Sequence, residues 1–118
     1  MSDAKSVAAA FRQGAAAQYR DHLTKVQVQG LTDDGAPITV YGKAPTLAQR
    51  SKIITAAGDN IHEQALRTVI ELAMNEAGDR LFTIEDLQFL RTQVKADLIE
   101  WLAAHLNAGQ SYEAVKKN

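Results

Sequence analysis

The chain has 118 residues, a formal net charge of -1 and no cysteine. Such a length suits one domain with one apolar core, and the lack of cysteine excludes disulfides, thiolate catalysis and cysteine-ligated zinc. A near-neutral charge without a basic cluster argues against nucleic acid as a partner, because phosphate contacts need lysine and arginine. No apolar run reaches the ~18 residues of a membrane helix, and the N-terminus lacks a signal-peptide pattern. We expect a cytoplasmic protein that binds neither nucleic acid nor membrane.

The alanine-rich start of the chain, residues 5–22, predicts a helix, although Gly14 in its middle costs about 1 kcal/mol. Its apolar residues recur at a spacing of four and form only a thin stripe, which needs a partner if it is to be buried. The stripe consists of Val7, Phe11, Ala15 and Tyr19.

Residues 23–42 change to the alternating pattern of strands. They predict a β-hairpin with strands at roughly 24–31 and 37–42, joined through the turn signal Asp33-Asp34-Gly35. A lone hairpin is marginal in water, so it packs on helices or pairs with strands of another copy. The candidates for self-association are Val26, Val28, Ile38 and Val40.

Two helices are predicted after the hairpin. The first covers about 46–57, with Thr46 as its cap and Gly58 as its stop. The second covers 61–76, is capped by Asp59 or Asn60, has a continuous apolar face and is ended by Gly78.

The last helical region begins at Thr83, an N-cap whose partner Asp86 places a carboxylate on the free N–H groups. One helix is expected at about 84–93 and another at about 95–107, and the two are also compatible with a single bent helix, since neither Gly nor Pro separates them.

These elements predict an α+β fold that is predominantly α-helical, with a small hairpin near 24–42 followed by a bundle of about four helices. We assign residues 1–22 to an N-terminal helix or arm and residues 23–109 to the hairpin and helical domain. Residues 110–118 are expected to be a mobile tail of the same single domain.

The sequence offers little support for an enzyme. His62-Glu63 begins like the HExxH zinc motif, but position 66, where the second histidine would fall, is Leu. Asn75–Asp79 does not have the ligand spacing of a calcium loop, and the scattered carboxylates read as solvated helix faces and caps. We predict no catalytic residue, no metal site and no cofactor.

The aromatic residues near the C-terminus exceed what two short helices need for packing. Phe89 lies off the Ile84-Leu87-Leu90 stripe, which implies a second contact surface within the domain or between chains. Trp101 is either an aromatic at the edge of the core or an anchor that faces a partner. The candidate partner-binding residues are Phe82, Phe89, Trp101 and Leu102.

The segment RTVIELAMNEAGDRLFTIEDLQFLRTQVKADLIEWLAAHLN resembles the tail assembly chaperones of long-tailed bacteriophages. The shared layout is an apolar helix, an acidic-Gly turn, Leu81-Phe82, a capped acidic helix, a leucine-rich last helix and the closing Leu106-Asn107. The hairpin segment VQVQGLTDDGAPITVYG ahead of the helices fits the same layout. At the turn, where the family often has Asp-Glu-Asp-Gly, this chain has Asn-Glu-Ala-Gly, residues 75–78.

The resemblance implies a non-catalytic role. Such chaperones coat the tape-measure protein before the tail tube forms, help bring tube subunits to it, and leave before the tail is complete. It also implies a homo-oligomer and a longer form made by ribosomal frameshifting, for which Lys116-Lys117-Asn118 allow A-rich slippery codons. The alternatives are a generic helical protein-interaction or virion assembly module and, with less support, a DNA-binding regulator.

Overall fold

The computed structural model describes residues 3–109. In this part of the chain, five α-helices, one short 3-10 helix and a two-stranded antiparallel sheet are present. The predicted α+β, mostly helical fold with an N-terminal helix is confirmed, whereas the predicted tail at 110–118 lies outside the described residues. The elements are α1 (Ala4–Asp21), β1 (Thr24–Val28), β2 (Ile38–Gly42), α2 (Leu47–Ala57), α3 (Ile61–Leu72), the 3-10 helix (Ile84–Asp86), α4 (Leu87–Gln93) and α5 (Ala96–Ala108).

Helix α1 forms from local interactions and is attached to the rest of the chain at its C-terminal end. Asp3 caps it by accepting a hydrogen bond of 2.7 Å from the Ser6 backbone N–H. None of its residues is buried. At its other end, His22 Nε2 donates to the Gly109 carbonyl at 2.6 Å, and the ammonium of Lys43 lies 5.1 Å from the centre of the Tyr19 ring.

The hairpin pairs in register from Thr24 opposite Gly42 to Val28 opposite Ile38. Alternate residues of β1 are buried, as expected for a sheet with one face on the core. The predicted first strand was too long, because it ends at Val28 and residues 29–37 form a loop. This loop is closed by the hydrogen bond from the Thr32 hydroxyl to the Ala36 carbonyl and by the positive φ of Gly35, 78°.

A further segment pairs with β2. Met74 and Tyr41 exchange two backbone hydrogen bonds of 2.8 Å, and Met74 also forms a bridge with Arg80. Helix α3 therefore ends at Leu72, and its predicted extension to residue 76 was wrong. The backbone hydrogen bonds that Met74 makes to the sheet replace those that helical continuation would have made. Gly78, predicted to end the helix, lies instead in the turn that follows this bridge.

Helix α3 is central to the core. It packs against α2, α4 and α5, and α5 in turn packs on β1. Its N-cap is Asn60, which accepts from the backbone N–H groups of His62 and Glu63 at 2.9 and 3.1 Å. The most deeply buried side chains of the core are Val26, Val69 and Leu106.

The last helical region consists of two helices. Thr83 is the predicted N-cap, and with Asp86 it forms a capping box, in which the Thr83 N–H donates to the Asp86 carboxylate at 2.8 Å. The first turn is the 3-10 helix, and α4 follows it. Val94 and Lys95 then have extended backbone, with ψ of 139° and 136°, which separates α4 from α5 without Gly or Pro.

Candidate functional site

The main candidate site is an apolar groove with a volume of 690 Å³ at the end of the hairpin that carries the 29–37 loop. The groove is formed by the hairpin with its loop, α3 through Val69, the segment before the 3-10 helix, α4 with the link that follows it, and the first half of α5. We call it the apolar groove and define it by its prominent lining residues Leu31, Ile38, Leu81, Phe82, Phe89 and Leu98.

The groove has a buried floor and an exposed rim. Val28, Val40 and Leu102 are core residues that also line the floor. On the rim, Phe89 is 58% exposed and Leu31 is 53% exposed, with Ile38 and Leu81 close to 40%. Large apolar side chains this exposed and this close together are typical of surfaces that contact another molecule.

The groove carries little charge. Its polar lining residues are Gln29, Gln93 and Lys95, and no acidic residue lines it. A charged group entering this groove would lose hydration with only Lys95 to compensate an anion and nothing to compensate a cation. The lining therefore favours an apolar occupant.

Of the four predicted partner-binding residues, three lie at this site. Phe82 is half-buried, Phe89 is exposed and Leu102 is buried, and all three line the apolar groove. Trp101 does not belong to the lining. Its ring, 38% exposed, lies against His105 with ring centres 4.5 Å apart. The structure thus separates Trp101 from the other three.

Most of the residues predicted for self-association are buried within the chain. Val26, Val28 and Val40 are at most 5% exposed because the hairpin packs that face on α3 and α5 within the same chain. Their side chains are not available to a second copy in this conformation, and self-association through the hairpin stays a prediction. Ile38, at the end of β2, remains exposed on the rim of the apolar groove.

Three of the residues that define the groove, Leu31, Leu81 and Leu98, were absent from the predicted site. Leu31 was assigned to a strand, and its position in the loop follows from the early end of β1. Leu81 was named only in the Leu81-Phe82 pair of the family layout, and Leu98 was part of the predicted leucine-rich last helix. Leu81 lies in a connecting segment, where burial of an apolar side chain is not expected.

The titratable groups form ion pairs between helices. Arg91 donates two hydrogen bonds to the Glu63 carboxylate, at 2.6 and 3.0 Å, and the hydrogen bond from Arg91 lowers the pKa of Glu63. His62 Nδ1 lies 3.4 Å from a carboxylate oxygen of Glu100. Within residues 3–109, no three or more His, Asp or Glu side chains gather as possible metal ligands. None of the helices described is both long and apolar enough to cross a membrane.

Comparisons of this sequence and structure with family models, with curated proteins and with solved structures find no match. The functional interpretation therefore depends on the residues and geometry described above.

Proposed function

We propose that this chain is a non-catalytic tail assembly chaperone of a long-tailed phage or prophage, which holds apolar helical segments of the tape-measure protein. The observation that carries the proposal is the apolar groove, with exposed Phe89 and Leu31 on its rim and only Lys95 as a charged lining residue. The resemblance of residues 67–107 to such chaperones supplies the identity of the client.

The apolar lining of the groove suits the apolar face of an amphipathic helix. Recognition of this kind uses apolar anchors at i, i+3 or i+4, and i+7, which enter a groove lined by apolar side chains. The rim residues Leu31 and Phe89 belong to two different parts of the chain, the hairpin loop and α4, and both are exposed for contact with such a helix. Tape-measure segments carry such apolar faces before the tube encloses them, and covering these faces keeps the client soluble.

The proposed contact between the groove and the client helix needs only a modest binding free energy. A chaperone that leaves before the tail is complete needs a reversible contact, and a groove without a charged network provides mainly area-dependent apolar attraction. Recruitment of tail tube subunits through a frameshifted longer form, and self-association along a long client, belong to the same proposal. The host bacterial cytoplasm is the compartment in which these steps would occur.

The test is co-expression with the long helical protein encoded nearby. We expect the client to remain soluble with the wild-type chain and to precipitate with Phe89→Ala, which removes an exposed rim residue at little cost to the fold. Leu47→Ala is the matched control, because Leu47 is 82% exposed on α2 and lies outside the groove. A client that is equally insoluble with and without the wild-type chain would reject the proposal.

Trp101→Ala defines the extent of the contact surface. If the client contacts only the apolar groove, this variant behaves like Leu47→Ala, because Trp101 is not a lining residue. If the contact surface continues along α5, Trp101→Ala weakens client binding while the melting transition stays nearly constant. Pull-down of the client together with thermal unfolding distinguishes the two results.

The same groove also suits a generic helical protein-interaction or virion assembly module. The two functions differ in the client. A chain that solubilises many unrelated apolar helices to the same extent as the tape-measure protein would favour the generic module.

A further inference from the structure

A second cavity, distinct from the apolar groove, gathers positive charge. Its volume is 320 Å³, and it shares no lining residue with the groove. We call it the basic pocket and define it by Lys52, Arg67, Glu71, Arg80 and Thr83, with Ile53, Ala56, Ile70 and Ile84 completing its walls.

The three cations come from three separate parts of the fold. Lys52 lies on α2, Arg67 on α3, and Arg80 in the segment that follows the Met74 bridge. The pocket is lined by three cationic side chains and one carboxylate, which leaves a local excess of two positive charges. Bringing like charges together in a partly enclosed site costs free energy unless an anion offsets them.

Glu71 offsets two of the cations but does not pair with the third. Its carboxylate lies 3.3 Å from Lys52 Nζ and 3.4 Å from a guanidinium nitrogen of Arg80. The same nitrogen of Arg80 also donates to the Ile70 carbonyl at 2.9 Å, which fixes the Arg80 side chain at the end of α3. Two cations of the pocket are therefore held in place by contacts within the chain.

Arg67 carries an unmatched hydrogen-bond donor, while its charge is attracted through space by the Glu63 carboxylate. Its Nε is buried and has no hydrogen-bond partner among the described residues, although the side chain lines the pocket. A buried donor without a partner is costly, and such groups usually meet an ion, a water or a ligand. The guanidinium fork suits an oxyanion, to which it donates parallel hydrogen bonds. Thr83 accepts from the Glu85 N–H, so its hydroxyl proton remains available as one more donor.

We propose that the basic pocket binds a small dianionic oxyanion of the phosphate class, with Arg67 as its main ligand and Lys52 and Arg80 as supporting cations. The excess of two positive charges matches a dianion, and the volume equals about ten water volumes, enough for a tetrahedral oxyanion with part of its hydration. This site does not rest on the chaperone role, because none of its residues lines the apolar groove.

The test is a titration of the full chain with inorganic phosphate at constant ionic strength, followed by NMR at the Arg67 Nε–H and by calorimetry. We expect saturable binding with a shift of the Arg67 Nε–H resonance. Arg67→Met keeps the aliphatic stem and should weaken binding at least about tenfold through loss of a charge-assisted hydrogen bond. The matched control Arg50→Met removes the same charge from an exposed position of α2 and should change binding less than about twofold.

Three results would overturn the proposal. The first is a shift that rises linearly without saturation, and the second is equal weakening by Arg50→Met, which would indicate general charge attraction. The third is acetate binding as tightly as phosphate, which would assign the site to carboxylates such as acidic side chains of a polypeptide. If Arg67→Met does not fold, the test depends on the wild-type chain alone. An Arg67 Nε–H resonance that does not shift when phosphate is added would then contradict the proposed phosphate site.

Discussion

Helices α1 and α3 are both capped and amphipathic, yet only α3 is part of the core. Helix α1 has 18 residues and none is buried, whereas α3 has 12 residues, of which five are buried. The stripe of α1 has one apolar residue per turn, Val7, Phe11, Ala15 and Tyr19, and the rest of the helix is rich in Ala, so it offers little apolar area for packing. Helix α3 has large apolar residues on consecutive turns and packs against α2, α4 and α5. Helix formation and helix burial are therefore separate properties in this chain.

The largest expected difference between the two helices concerns their apolar side chains. Leu66→Ala in α3 should lower the free energy of unfolding by about 2–5 kcal/mol, because Leu66 is 3% exposed and its removal leaves a cavity. Phe11→Ala in α1 should change it by less than about 0.5 kcal/mol, since Phe11 is 73% exposed. Urea denaturation measures both. A loss of several kcal/mol for Phe11→Ala would mean that α1 is packed in solution, as in an assembly of several copies.

The same Gly→Ala substitution should have opposite effects in the two regions. A Cβ at Gly42, at the end of β2, would meet Leu106 Cδ2 at 2.8 Å and the Leu72 carbonyl oxygen at 3.0 Å. We expect Gly42→Ala to lower the free energy of unfolding by about 1–3 kcal/mol through overpacking. At Gly14, in α1, nothing lies within 4 Å of the added Cβ. Gly14→Ala should raise the helical signal in circular dichroism without lowering the unfolding midpoint, because Ala favours helix.

The smallest expected changes in the free energy of unfolding come from removing one ion pair from each helix. Glu63→Gln in α3 should cost about 0.2–1 kcal/mol, since Arg91 and Glu63 are partly exposed and solvent screens the pair. Arg91 lowers the pKa of Glu63 below its ordinary value of 4.5. The stabilisation of the fold by the Glu63–Arg91 ion pair is therefore complete at pH values above 4.5. It is lost as the pH falls through the lowered pKa of the folded state. The difference between wild type and Glu63→Gln should therefore vanish in acid.

The matched control for this pair is Asp21→Asn in α1, which removes the exposed contact of Asp21 with Arg20. We expect no measurable change in global stability at any pH. A stability difference for Glu63→Gln that persisted unchanged into strong acid would contradict the assigned role of the Glu63 carboxylate.

Several features of the fold could be predicted because they depend on near neighbours in the chain. Thr46, Asn60 and Thr83 cap helices as expected, since a capping side chain bonds to backbone only two or three residues away. The hairpin was likewise predicted, although its first strand was made too long. The turn chemistry within residues 29–37 overrides the strand pattern there.

The candidate site could be predicted only in part. The excess of aromatic residues indicated a contact surface, and Phe82, Phe89 and Leu102 do line the apolar groove. The separate position of Trp101 was not predictable, because it depends on how α5 is rotated about its axis against α3 and β1. The basic pocket was also missed, since its three cations are distant in sequence and only tertiary packing brings them together.

The sequence by itself determined which segments become helix or strand and where most of them begin, because caps, glycines and apolar spacing act over a few residues. Only the tertiary structure decided that α3 stops at Leu72 to pair Met74 with β2, that α1 remains outside the core, and which apolar residues face the groove. These outcomes depend on contacts between residues far apart in the chain, which outweigh local preference wherever they satisfy backbone hydrogen bonds and bury more apolar area.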